Sequence, residues 1–402
     1  MSKKRVDIAH LSPYPPFVPG SVNRIVGASV ERIPEYNHVI ISFWDGEPPQ
    51  DCKNDQRLIL VNWKGVPLWM RLLARLPYRF RPRSLLGARE PRNIAYLWHV
   101  RRLIAELRPR LIICYDMPGV GGVLRRSLTW PCRLVFSQHG FSYFLPHGEA
   151  VRTYSLESCD AVWHLTLASY RFDRARMSYY EAEAAVVPNP VDTERFRPPD
   201  PFEKIALRQR FGIPPDKLVV LFLSVLRRKK GAHILLDCWE RVAKAEPNAL
   251  LWIVGAGEPW YETYLRNMAE RLGITHAVRF EGRVPPELVP DCFKCADVFV
   301  FPTLFCEGLP LSLLEGMASG LACIVSDFAT AREIVREDEV LFVPDPNLQG
   351  AFVEPILRVL RDPALRQELG MRARKAAEER FNMDVWADRL REFFEWQLRL
   401  VP

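Results

Sequence analysis

The sequence has no stretch of the ~20 apolar residues that a bilayer span needs; the run 218–225 is short and bounded by charges. Lys3, Lys4 and Arg5 open the chain, but Asp7, His10 and the Pro-rich stretch 13–19 interrupt any signal-peptide apolar region, so the protein is expected to stay in the cytoplasm where it is made. No low-complexity tract is present, and 48% hydrophobic with 26% charged residues is an ordinary globular composition. The nine cysteines are odd in number and scattered singly among apolar neighbours, which suits reduced, buried thiols better than a disulfide framework. Cys292 and Cys295 form a lone C-x-x-C with no second pair and no histidine at ligand spacing, which argues against zinc. The sequence also lacks an Asp-x-Asp pair for a metal-bound diphosphate, a Walker A loop and an H-E-x-x-H helix. Its chemistry is therefore expected to proceed without a dedicated metal or cofactor.

What is present points to an α/β protein of two domains, since 402 residues exceed one typical hydrophobic core. Short β-branched runs alternate with helical patterns: strands are expected at 6–11, 39–43, 58–61, 111–114, 134–137, 161–165 and 185–187, then at 219–225, 250–254, 278–280, 298–301, 323–326 and 340–343. Apolar runs without strict alternation, separated by helix-length segments, indicate parallel strands covered on both faces, hence two doubly wound sheets. Pro188, Pro190, Pro198, Pro199 and Pro201 make the strongest break in the chain, which places a linker there and domains at 1–197 and 198–380. The segment 382–400 then carries Val385, Trp386, Leu390, Phe393, Phe394 and Leu398 at helical spacing. Ligands of open α/β sheets bind beyond the carboxyl ends of the strands, so two such sheets facing each other would form a cleft.

Charge is uneven. Residues 1–198 hold 28 Lys+Arg against 18 Asp+Glu, a net +10, and residues 199–402 hold 27 against 30, a net −3. An anionic partner is expected for the first half alone. Between 64 and 110, Lys64, Arg71, Arg75, Arg79, Arg81, Arg83, Arg89 and Arg92 are among the cations that interleave with Trp63, Trp69, Met70, Leu72, Leu73, Leu76, Tyr78 and Phe80. That pattern suits an anionic membrane surface, with a solvated helix pair over the sheet as the plainer alternative; no nucleic-acid module surrounds it.

Two segments of the second half carry the sharpest chemical signal. Cys306-Glu307-Gly308-Leu309-Pro310-Leu311 follows the strand 298–301 and opens a helix expected to run to about Ser319, with Glu315 eight residues after Glu307. A helix N-terminus presents free N–H groups and partial positive charge, so the amides after Gly308 are suited to phosphate or sugar hydroxyls. On a regular helix Glu315 would lie about 80° around from Glu307, one carboxylate for sugar hydroxyls and the other for ribose. The alternative is a first-turn acid and a solvated helix residue. Arg227-Arg228-Lys229-Lys230-Gly231 sits at another strand-to-helix turn, where its cations can neutralise a departing diphosphate or be a solvated charge run. Gly255-Ala256-Gly257 begins a dinucleotide fingerprint, but Trp260 stands where the third glycine belongs, so a tight turn suffices. In the first half, Gly20 and Ser21 follow the first strand as a flexible phosphate-approaching loop, and His139 ends another, where it either contacts a transferred sugar or is structural. Asp116 is a weaker candidate of the same kind.

At these residues the chain resembles the retaining GT-B glycosyltransferases of family 4, the glycosyl transferases group 1. The likeness runs through the N-terminal loop, Val187-Pro188-Asn189-Pro190-Val191-Asp192 with Phe196, Lys230-Gly231, Gly255-Ala256-Gly257, the segment from Glu307 to Glu315, and Glu333. It implies two Rossmann-like domains facing a cleft and a final helix, 381–402, that crosses back to the first. It further implies a nucleotide-sugar donor, a diphosphate on an Arg/Lys pair and ribose on Glu315; beside these, a UDP- or GDP-sugar, sugar hydroxyls on Glu307 and His139, and a glycan or lipid-linked acceptor are expected. Main-chain contacts near Arg283 and Val284 are expected to help select the donor base. Val225 replaces the arginine of the usual Gly-Arg-Leu turn, so Arg227 or Arg228 would have to substitute for it, or the protein is a non-catalytic nucleotide-sugar-binding subunit. Ala329-Thr330 likewise replaces a small-residue turn before Glu333.

Overall fold

The computed structural model describes residues 5–18, 20–52, 55–75, 91–117, 120–139, 158–176 and 182–401. They divide into two compact units, 1–188 with 386–402, and 189–385.

In the first unit the described strands are β1 (Ile8–Ser12), β2 (His38–Phe43), β3 (Leu58–Val61), β4 (Leu111–Tyr115), β5 (Arg133–Gln138), β6 (Ala161–His164) and β7 (Glu183–Val186). They form one parallel sheet in the order β3-β2-β1-β4-β5-β6-β7. β1 and β4 are buried along their whole length, which is why β4 is an unbroken apolar run and why the polar His10 and Ser12 of β1 are hydrogen-bonded, His10 to Tyr115 and His38 and Ser12 to Tyr14 O. The helix Pro91–Leu107 covers one face, and the buried hydroxyl of Tyr96 donates to Ile41 O at 2.7 Å. The helix Met383–Arg399 starts where Asn382 Oδ1 accepts from the amides of Asp384 and Val385 at 2.9 and 2.8 Å, an N-cap. Its residues from Trp386 onward belong to this unit: Phe394 lies edge-on to His10 at 6.2 Å, Phe393 meets Trp163 at 6.2 Å, and Arg133 donates to Gln397 Oε1 at 3.0 Å.

The second unit repeats the plan with β8 (Leu218–Leu223), β9 (Ala249–Val254), β10 (Val278–Gly282), β11 (Val298–Phe301), β12 (Ala322–Ser326) and β13 (Leu341–Val343), parallel, in the order β10-β9-β8-β11-β12-β13. Its core gathers Trp239, Phe222, Ile253 and Phe352 between the sheet and the helices Ala232–Ala245 and Val353–Arg361. The unit begins at Asn189, inside the proline cluster and ahead of the boundary expected at 198, because the intervening segment is bonded to it. Val191 N donates to Phe381 O at 2.7 Å, Arg374 donates to Phe196 O at 2.7 Å, and Phe196 packs edge-on to Phe293 at 5.8 Å. Pro201, the last of those prolines, opens the helix Pro201–Arg210 behind the N-cap Asp200, a position where its missing N–H costs nothing.

Both sheets reverse direction of strand addition once, between β1 and β4 and between β8 and β11. At such a switch point the two connecting loops run to opposite faces and leave a crevice beyond the strand ends.

Candidate active site

In the second unit the crevice lies after β8 and β11, and the loops that leave these two strands carry Lys230 and Glu307. β8 is followed by the 3-10 turn Arg228–Lys230 and by Gly231 at φ +83°. A Cβ on Gly231 would stand 1.9 Å from Pro302 O, so only glycine lets this turn lie directly on the loop leaving β11. Leu304 N then donates to Lys229 O at 2.8 Å and joins the two loops. Across that junction Lys230 Nζ donates to both Glu307 carboxylate oxygens at 2.6 Å, with only 15% and 13% of the two side chains exposed. The Thr303 hydroxyl donates to Glu307 Oε1 at 2.9 Å, and the Thr330 hydroxyl to the Glu307 carbonyl at 2.6 Å. Glu307 is thus held by its carboxylate and by its main chain.

The helix after Glu307 opens at Leu311, behind Pro310, whose side chain has no acceptor for the first amides. Glu307 therefore stands in the loop and not on the first turn, and the 80° relation to Glu315 does not apply. Gly308 and the buried Leu309 span the gap. Glu315 is 5% exposed, which removes the solvated-helix alternative for it. β9 is followed by Gly255, whose φ of +136° and Cβ position 1.9 Å from Ser224 O again demand glycine. Its N–H donates to Gly282 O at 2.7 Å, and the exposed Arg283 and half-buried Val284 follow. The second-unit candidates thus share the carboxyl edge of four neighbouring strands, β10, β9, β8 and β11.

Positive charge is crowded there. Lys229 Nζ sits 4.2 Å above the Phe305 ring, and burial, with the charges of Lys230 and Arg227, pushes its ammonium below the ordinary lysine range. An anion placed among these cations would relieve that strain. Cys292 and Cys295 are buried, and burial pushes both thiols up, Cys295 to about 12. Among the described residues no group of three or more His, Cys, Asp or Glu is gathered as a metal site would need.

In the first unit, Gly20 N-caps the helix Ser21–Arg32 after β1, and Asp116 follows β4 at φ +44°. Asp116 Oδ1 accepts from His139 N at 2.8 Å, which ties together two residues that the sequence offered separately. His139 Nε2 lies 2.9 Å from Ser137 Oγ, and its ring packs against Tyr115 and Trp163 at 5.8 and 5.7 Å. The basic segment is described only in part: 76–90, with Arg79, Arg81, Arg83 and Arg89, lies outside the described residues. Sequence reasoning missed Thr303 and Thr330. Thr303 lies in a loop, where no periodicity reveals it, and the one available sign for Thr330 was its place shortly before Glu333.

Residues 203–376 match the family described as "Glycosyl transferases group 1". A GDP-mannose-dependent alpha-(1-6)-phosphatidylinositol monomannoside mannosyltransferase of Mycolicibacterium smegmatis is 30% identical over 351 residues, 82% of this chain and 86% of that protein. The chain belongs to this family of glycosyltransferases. The putative glycosyltransferase EpsD of Bacillus subtilis is 27% identical over 302 residues, covering 72% and 77% of the two chains. Among solved structures, Anabaena HepE in complex with UDP and glucose overlays with a TM-score of 0.79 at 18% identity over 97% of this chain and 100% of that one. Sucrose-phosphate synthase from Thermosynechococcus elongatus also gives 0.79, at 20% identity over 98% and 100%. These likenesses show a GT-B fold. In this glycosyltransferase Val225 is 42% exposed and brings no charge to the turn. Arg227 acts electrostatically on Lys229, and Arg228 lines a pocket of about 440 Å3 with His233, Asp237, Leu304 and Asn347. There, burial and the Arg228 charge hold His233 below the usual histidine range.

Proposed function

We propose that this glycosyltransferase moves a hexose from a UDP- or GDP-sugar to a glycan or lipid-linked acceptor with retention of configuration and without a metal. The observation that carries the reading is the Lys230–Glu307 pair at the switch point of the second sheet, in a turn crowded with cations and ahead of the helix that bears the buried Glu315. Lys230 and Arg227 bind the donor diphosphate and stabilise its charge as the glycosidic bond breaks, the task a metal performs elsewhere. Glu315 accepts from the ribose hydroxyls, and Glu307 from the hydroxyls of the transferred sugar. His139 is assigned to that sugar as well. The acceptor hydroxyl attacks the anomeric carbon on the face from which the nucleoside diphosphate departs, and its proton passes to the leaving phosphate oxygen. No protein nucleophile is required.

A mannosyltransferase relative that uses GDP-mannose and a fold relative that holds UDP with glucose support both donor classes. A lipid-linked acceptor is supported by the helix Leu68–Arg75, where Leu68, Trp69 and Leu72 are exposed next to Arg71 and Arg75. No helix among the described residues is long and apolar enough to cross a membrane.

Purified protein should be screened with UDP-, GDP- and ADP-sugars for thermal stabilisation and for donor turnover in the presence of EDTA. One donor should raise Tm by mass action and be consumed with the chelator present. Loss of turnover in EDTA that added divalent metal restores would refute the metal-free reading, and stabilisation by none of the three would refute the donor site.

A further inference from the structure

The loop that carries Glu307 runs between β11 and the helix Leu311–Ala318 and has no strand partner to hold its main chain. Two hydroxyls add to the main-chain bond from Leu304 N to Lys229 O. The carbonyl of Glu307 can only accept, so the Thr330 proton points to it across 2.6 Å. Cys306 Sγ lies 3.5 Å from the same Thr330 oxygen, and since that proton is already engaged, the thiol is the donor in this second contact. Thr303 has one proton for two acceptors, Glu307 Oε1 at 2.9 Å and Lys229 O at 3.3 Å, both in the Lys230–Glu307 junction. Thr330 is wholly buried in the short helix Ala329–Ile334 after β12, a different element from either loop of the site.

The geometry points to Thr330 as a positioning residue: its hydroxyl fixes the main chain of Glu307 and thereby aims the carboxylate at the transferred sugar. This rests on the reading of Glu307 as the sugar-facing group. Thr330 touches no substrate itself. Its removal should impair recognition and transfer of the sugar more than binding of the nucleoside diphosphate, because the Glu307 carboxylate that pairs with Lys230 keeps its bond from Thr303 while the Glu307 main chain loses its own. A side chain that served only packing would not make that distinction.

The test compares wild type with Thr330→Val, which keeps the volume and deletes the hydroxyl, with Thr330→Ser, which keeps the hydroxyl, and with Glu307→Gln. Each is titrated calorimetrically with UDP and UDP-glucose and with GDP and GDP-mannose, and kcat/KM is measured on the accepted donor. Thr330→Val should bind the diphosphate within threefold of wild type and lose tenfold or more in kcat/KM, with Thr330→Ser within threefold of wild type on both. Equal weakening of diphosphate and nucleotide-sugar, or full activity in Thr330→Val, would overturn the assignment. If Thr330→Val does not fold, Thr330→Ala is read in its place with the same expectations. Failure of both beside a folded Thr330→Ser would make the hydroxyl a stability element and also overturn it. An unchanged kcat/KM in Glu307→Gln would instead sink the sugar-facing reading itself, whereas a loss there with normal Thr330→Val would sink only the role of Thr330.

Discussion

Arg227 and Arg228 are neighbours in the chain but not in their electrostatic surroundings. Arg227 enters the 3-10 turn with extended backbone angles, φ −130° and ψ 147°, and Arg228 is the first residue inside it, where successive side chains diverge by about 120°. Lys229 feels Arg227, and His233 feels Arg228. On the proposed reading, Arg227, two residues later in the chain, takes the place of the arginine absent at Val225. Arg227→Ala should weaken nucleoside diphosphate binding roughly tenfold, the size of a lost charge-assisted hydrogen bond, while Arg228→Ala should change it less than twofold. Calorimetric titration of both variants decides, and the opposite ranking would move the diphosphate to the pocket side of the turn. Lys230 and Glu307 were legible in the sequence because each is a charged residue just past an apolar strand. Thr303 and Thr330 were not, since their partners are set by how loops from β8, β11 and β12 meet, and no spacing encodes that.

At the scale of the element, the parallel strands were readable because burial on both faces makes each an apolar run, as in Leu218–Leu223 and Val298–Phe301. The start of the helix Leu311–Ala318 was not. Gly308-Leu309-Pro310 separates it from Glu307, and Pro310 at φ −75° and ψ 112° is extended, so helical geometry begins only after it. The helix Leu68–Arg75 shows a third case, a sequence pattern with two meanings. Its Met70 is buried, which alone would suit a helix covering the sheet, but Leu68 is 71% exposed, Trp69 58% and Leu72 52%. Arg71 Nε donates to Val66 O at 3.0 Å, which anchors the helix to the loop before it. Such a face suits a headgroup layer, to which each nearby cation adds ~1 kcal/mol on an anionic surface. In liposome co-sedimentation, binding should require anionic lipid, weaken as salt rises and fall severalfold in Leu68→Ser/Trp69→Ser/Leu72→Ser. Binding that ignores lipid charge and these substitutions would leave the helix as ordinary surface and favour a soluble acceptor.

For the whole molecule, two units with the same strand order each place their loops by the same topological rule, and the residues they offer differ in kind. The second unit, although its half of the chain is net negative, concentrates cations in the one turn that meets Glu307. The first carries the net charge of +10, the Asp116–His139 pair and the exposed apolar helix. The proline cluster showed that the chain changes domain there. It did not fix the residue, because Val191 and Phe196, between Pro190 and Pro198, are held by contacts to Phe381 and Phe293, far along the chain. The central claim is that the turn at Lys230 and the helix bearing Glu315 together form the donor site. Steady-state transfer with the accepted donor, measured for wild type, Lys230→Ala and Glu315→Ala after each is shown to be folded, tests it most directly. Each variant should lose tenfold or more in kcat/KM, as removal of a charged contact of roughly 1.5–3 kcal/mol requires. Two folded variants that turn over at the wild-type rate would contradict the account and place the donor elsewhere.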